Sequence, residues 1–153
     1  MPKVRLSEIV EGMDLMSDQM TWYLHLPTGR VLFVTDEAFG AAEDNDEDAV
    51  EPEELAEARA VSERGEEYLA LPDRFEIDEY RMMEEFAAEV KDSRQSDELL
   101  ESLRGAKAFR RFKDTVRRLG LSDAWYAFRE RAYNDVARAW CDANGIEIDV
   151  TPG

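Results

Sequence analysis

The spacing of apolar residues changes at Pro72, and that change restricts the fold more than any other feature of the chain. Upstream, Met20, Trp22, Leu24 and Leu26 alternate along the chain, Pro27-Thr28-Gly29 supplies a turn, and Val31-Leu32-Phe33-Val34 follows as a β-branched and aromatic run. The pattern predicts a β-hairpin over 20–34. Downstream, Ile77, Tyr80, Met83, Ala87 and Val90 recur every three or four residues. Phe109, Phe112, Val116 and Leu119 do the same, and so do Trp125, Phe128, Ala132, Val136 and Trp140. Such stripes are the buried faces of amphipathic helices. The expected fold is therefore α+β, with a small antiparallel sheet built around the hairpin and packed against a helical C-terminal half, its helices over 76–90, 107–119 and 122–143.

Local signals fill in the rest. Lys3 to Leu6 reads as a short strand, and Ser7 as the cap of a brief helix through Ile9, Val10 and Met13. Thr35 or Asp36 caps a short helix through Phe39, Pro52 opens another that carries Leu55, Ala58 and Val61 to about Gly65, and Tyr68 to Leu71 returns as a strand. Asp92 to Ser96 reads as a loop, and Leu99, Leu100 and Leu103 as a short helix stopped by Gly105. Gly120 and Asn144-Gly145 end the last two helices, after which Ile146, Ile148 and Val150 alternate with acids as an edge strand. Glu43 to Glu54 is a nearly unbroken acidic stretch with little to bury, and the expectation is a mobile loop at 43–52. At 153 residues, positions 1–153 are expected to form a single domain.

Charge is segregated along this length. Residues 1–92 hold 26 Asp and Glu against 8 Lys and Arg, whereas residues 93–153 hold 10 against 11, for a formal net charge of −17. A field of that sign favours solubility and opposes non-specific attachment to nucleic acid or anionic lipid. Val31 to Val34 is the longest apolar run, too short for a membrane span or a secretory signal, and the single Cys141 excludes an intrachain disulfide. Both point to a cytoplasmic protein with no membrane association.

Against that background one segment stands apart. Between 104 and 118 lie Arg104, Lys107, Arg110, Arg111, Lys113, Arg117 and Arg118, with Asp114 as the single acid. On a helix, Phe109, Phe112, Val116 and Leu119 would face inward, with Arg110, Lys113 and Arg117 along one flank and Lys107, Arg111 and Arg118 along the other. Guanidinium forks match phosphate oxygens, so the segment suits a phosphate-bearing ligand or an acidic protein partner. The competing reading is internal neutralisation of the protein's own carboxylates. The Gly120-Leu121-Ser122 turn resembles a helix-turn-helix, but the basic residues precede it and the following helix is aromatic, which favours an αα-hairpin.

Other constellations carry less chemistry. Asp44, Asp46 and Asp48 open like a calcium loop, but its sixth position is Ala49 and its twelfth is Leu55. His25 is the only histidine, on the strand face opposite Trp22 and Leu24, with no Ser or Cys that the sequence ties to it. Cys141, beside Trp140 on an apolar helix, reads as buried. No phosphate-cradling Gly-rich loop, paired-histidine zinc motif or nucleophile elbow is present, so no catalytic residue, metal ligand or cofactor is expected. Carboxylates near Tyr80, Glu84 and Glu85 are the sole opening for an enzyme.

Taken together, Trp22-Tyr23-Leu24 with Pro27-Thr28-Gly29, Leu71-Pro72 with Phe75-Glu76-Ile77 and Glu79-Tyr80, Met83-Glu84-Glu85-Phe86, Ala108-Phe109-Arg110-Arg111-Phe112-Lys113-Asp114, and Trp125-Tyr126 with Trp140-Cys141 resemble the uncharacterised bacterial protein family UPF 0158 over nearly the whole chain. The resemblance implies a bacterial cytoplasmic protein of one domain and brings no activity with it. The functional expectation is a non-enzymatic binding or regulatory protein acting through Lys107, Arg110, Arg111, Lys113, Arg117 and Arg118, with an RNA- or DNA-backbone binder as the alternative.

Overall fold

The computed structural model describes residues 3–149. Contacts divide the chain into two compact units, one formed by residues up to Asp73 together with those from Val136 onward, the other by Arg74–Asp135.

The first unit holds the strands. β2 (Met20–His25) and β3 (Arg30–Thr35) form the expected hairpin, with Trp22 opposite Phe33 and Leu24 opposite Val31. β4 (Tyr68–Ala70) adds antiparallel to β2, giving the order β3-β2-β4. In the turn, Thr28 and Gly29 both donate their backbone N–H to the His25 carbonyl, and Gly29 takes φ 73°, a conformation that glycine adopts without penalty. Alternation then sends Trp22 and Leu24 to one face and Leu32 and Val34 to the other. The first face receives α1 (Leu6–Leu15) at Gly12, and the second packs with Ala38 of α2 (Asp36–Asp44) and with Ala58 and Val61 of α3 (Pro52–Glu63). Thr35 caps α2 by accepting from Ala38 N–H at 3.1 Å. The acidic stretch is partly helical: Glu43 and Asp44 close α2, Pro52 opens α3, and only Asn45 to Glu51 lies between them.

A second, two-stranded sheet joins distant parts of this unit. β1 (Val4–Arg5) pairs in parallel with β5 (Ile148–Asp149), and Val4 N–H donates to the Glu147 carbonyl at 3.0 Å. Val150, expected to extend that strand, lies outside the described residues.

The second unit is helical. The single helix expected over 76–90 is instead two, α4 (Arg74–Ile77) and α5 (Glu79–Glu89), because Asp78 takes a left-handed φ of 50° and its carboxylate accepts from Arg81 N–H. An aspartate that caps a helix from its side chain ends the preceding turn in doing so. The same device replaces the expected loop at 92–96: Asp92 accepts from Arg94 and Gln95 N–H and starts α6 (Ser93–Ser102). α7 (Ala108–Arg118) follows, and the hydrogen bonds Leu121 N–H to Val116 O and Gly120 N–H to Arg117 O close it with Gly120 at φ 72°. α8 runs Ser122–Ala143. Phe86, Phe112, Trp125 and Phe128 form an aromatic core, with ring centroids 5.0 Å apart for Phe112 and Trp125 and 5.4 Å for Phe86 and Trp125. At its margin Arg129 donates to Glu79 Oε1 at 2.7 Å and lies 4.1 Å over the Tyr133 ring.

Candidate functional site

α7 exists as a helix because Phe112 and Val116 are buried one turn apart, and this fixes where its seven neighbouring cations point. The structure separates them into two sets. On the flank toward α6, Arg118 binds Glu98 at 2.8 Å, and Arg104 meets Glu101 at 3.5 Å. Arg111 turns its guanidinium onto the carbonyls of Arg104 and Glu101, satisfying acceptors left open where α6 ends. A groove of about 630 Å³ between these helices is lined by Asp97, Glu98, Glu101, Arg111, Asp114 and Arg118, so carboxylates outnumber guanidinium groups there.

The opposite flank is open. Lys107, Arg110 and Lys113 make no ion pair among the described residues, and Arg117 makes only an exposed contact with Asp114 at 3.4 Å. Lys107, expected on the flank with Arg111 and Arg118, is the N-cap of α7: it takes φ 61° and its carbonyl accepts from Arg111 N–H at 3.0 Å. Phe109 departs from its expected inward position. It is 48% exposed and meets Tyr80 edge-on at 6.3 Å, on the rim beside Lys113 rather than in the core. The open flank is therefore cationic and aromatic together.

Of the carboxylate group around Tyr80, Glu84 is exposed, whereas Tyr80 and Glu85 are engaged structurally. Tyr80 donates its hydroxyl to the Leu103 carbonyl at 2.8 Å, and Glu85 pairs with Arg81 at 3.2 Å. Glu85 also lines a cleft of about 590 Å³ with Glu89, Phe128, Arg131, Asn134 and Asp135. The described residues hold no cluster of three or more potential metal-ligating side chains. Cys141 is fully buried, and burial first, then the neighbouring Asp142, pushes its thiol above the ordinary range. It is expected to stay unlabelled by a thiol reagent at neutral pH and to react fully only once denaturant opens the fold, as a colorimetric thiol titration would show.

His25 has partners that the sequence did not disclose. Nε2 lies 3.0 Å from Glu67 Oε1, Nδ1 lies 2.8 Å from Thr28 Oγ1, and the ring stacks on Tyr68 at 4.5 Å. A carboxylate only accepts, so Nε2–H donates to Glu67, and in the tautomer with Nδ1 unprotonated the Thr28 hydroxyl donates to Nδ1. Thr28 Oγ1 in turn accepts from Arg30 N–H at 3.3 Å. A hydroxyl against an imidazole is the pairing used to activate a nucleophile. Here the adjoining amides of Thr28 and Gly29 are both spent on the His25 carbonyl, so the turn offers no donor pair to an oxyanion. The three side chains clasp the hairpin turn to the short 3₁₀ turn that precedes β4. The three-residue spacing of His25 and Thr28 across a turn was the available signal.

Fold and site thus define a class: a small α+β protein whose basic helix is neutralised along one flank and open along the other. The chain belongs to an uncharacterised protein family, UPF0158, whose model matches residues 3–151. Curated proteins and solved structures offer no match. No helix of the described residues is long and apolar enough to cross a membrane.

Proposed function

We propose that the protein is a non-enzymatic binding protein that receives an acidic segment of a protein partner on the open flank of α7. The observation that carries this reading is the division of one basic helix: Glu98 and Glu101 of α6 pair with Arg118 and Arg104 and Arg111 is held on backbone carbonyls, while Lys107, Arg110 and Lys113 make no ion pair among the described residues and Phe109 is half-exposed. Unpaired cations around an exposed ring fit an acidic segment with an apolar anchor, since aromatic anchors contribute most of the energy at protein interfaces and charge sets orientation. A nucleic-acid backbone fits less well. In this segment only three cations are without an ion pair among the described residues, and a strand wrapping past them around α7 would meet the carboxylates of the groove on its other flank.

The test is fluorescence anisotropy with a labelled peptide of alternating Glu and Leu and, separately, a single-stranded RNA, from about 20 to about 300 mM salt. The peptide is expected to bind and to weaken with salt. The double variant Arg110→Glu, Lys113→Glu is expected to lose at least about tenfold in affinity, with stability unchanged within roughly 0.5 kcal/mol because both side chains are exposed. RNA binding with a log–log salt slope near −2 to −3 would transfer the surface to the backbone-binding reading. Binding of neither probe at the lowest salt overturns both.

A further inference from the structure

We propose that the free edge of β3 is a self-association surface, on which a second copy of this chain pairs antiparallel and extends the three-stranded sheet to six. β3 has one neighbour, β2, and its other edge is unpaired among the described residues. Which backbone groups face that edge follows from the bonds on the far side of β2. Leu71 N–H donates to the Trp22 carbonyl at 3.0 Å and Leu26 N–H to the Glu67 carbonyl at 2.8 Å, so residues 22, 24 and 26 turn their backbone groups toward β4. Thr21, Tyr23 and His25 then face β3 and bond to Val34, Leu32 and Arg30, their partners in the register. Val31 and Phe33 are left with their N–H and C=O groups pointing outward, together with the N–H of Thr35, whose C=O accepts the first bond of α2.

Edge strands are ordinarily blunted by a proline, a bulge, an inward charge or a short length. β3 has none of these. It runs six residues, Arg30–Thr35, pairs without interruption, and carries only apolar residues between its ends. Phe33 is 45% exposed on it, against Trp22 at 5.0 Å. An edge of this kind is open to strand addition.

The choice of a second copy rests on self-complementarity. In an antiparallel pair, residues opposite each other share a face, so β3 can meet itself only in registers that keep this parity. With the two-fold axis at Phe33, Val31 falls opposite Thr35 of the second copy and Phe33 opposite its own equivalent. Phe33 and the Thr35 N–H then supply about four hydrogen bonds, and the Val31 N–H of each copy meets a Thr35 C=O that already accepts within α2. The same register brings Arg30, at each end of the ladder, to the start of α2 of the second copy, whose first turn carries Asp36 and Glu37. Arg30 uses one guanidinium nitrogen on Glu57 and keeps its others available. With the axis at Leu32 instead, Thr35 drops out and Arg30 meets Val34. The sequence therefore favours one register, and that register is both apolar at its centre and charge-matched at its ends.

Sedimentation velocity of the full chain at about 100 µM in about 0.15 M salt, where self-repulsion is screened beyond about 8 Å, is expected to give twice the 17.6 kDa chain mass. Val31→Pro removes an outward-facing donor while leaving the β2 ladder intact, and Phe33→Lys adds the charge that edge strands normally carry. Each is expected to sediment as a monomer, with far-UV circular dichroism unchanged. Hydrogen exchange supplies a readout that needs no substitution: the Val31 and Phe33 amides are expected to be protected at high concentration and to lose protection on dilution. A monomeric wild-type chain at the higher concentration overturns the proposal, as does a dimer that survives in both variants.

Discussion

Phe112→Ala is expected to cost the helical unit about 4 kcal/mol, whereas Phe109→Ala, three residues earlier on the same helix, is expected to cost no more than about 1. Phe112 has no exposed surface and sits among Phe86 and Trp125, so truncation leaves a cavity whose walls are rings already in contact with one another. Rings held edge-on cannot all move in to refill the volume. A loss of this size is a large part of the 5–15 kcal/mol that typically holds a domain together. Urea denaturation followed by circular dichroism should show a lower midpoint at nearly constant slope for Phe112→Ala and little change for Phe109→Ala. Equal losses for the two would mean that α7 is rotated from the position described, and the open cationic flank with it.

The second large effect is expected at Gly12→Val. A Cβ at this position of α1 would lie 2.7 Å from Leu71 Cδ1 and 2.9 Å from Trp22 Cε3. Leu71 can swing aside, but the Trp22 ring is wedged against Phe33 and cannot. Overpacking of this kind costs about 3 kcal/mol, which for a chain of this size lowers the melting temperature by roughly 10 °C. Gly12→Ala should lose less, because better helix propensity returns about 1 kcal/mol of the clash. A thermal melt in which valine is tolerated as well as alanine would show that α1 lies farther from the sheet than the contacts indicate.

How far the sequence could be read depended on whether the signal was local. The hairpin was legible because alternation, turn chemistry and register agree at every residue from Met20 to Thr35. The extent of α8 was legible from Ser122 and the Asn144-Gly145 stop, but its buried face runs through Trp125, Tyr133, Ala137 and Cys141, one residue round from the expected Phe128, Ala132, Val136 and Trp140. The break at Asp78 and the helix that starts at Asp92 in place of the expected loop were missed, since an aspartate is known as a cap only when its carboxylate is seen to accept from the next turn. At the candidate site, both flanks of α7 could be assigned from 3.6-residue geometry. Nothing in that geometry says which flank meets α6, and Glu98 and Glu101 decide it. Phe109 was misplaced because a stripe identifies the direction of the core but not its width; at the edge of the stripe one ring contact with Tyr80 is all that remains. The Thr28–His25–Glu67 clasp spans 42 residues between His25 and Glu67, beyond any local pattern.

The parallel pairing of Val4 and Arg5 with Ile148 and Asp149 bears on the order in which the chain can be completed. The helical unit is one continuous segment, whereas the unit with the strands joins residues up to Asp73 to residues from Val136 onward, so during synthesis β1 must wait for β5. Bringing those ends together closes a loop of nearly the whole chain at an entropic cost of roughly 4 kcal/mol. The nascent protein thus acquires its middle before its beginning is finished, and β1 remains without its neighbour until the ribosome has passed Asp149.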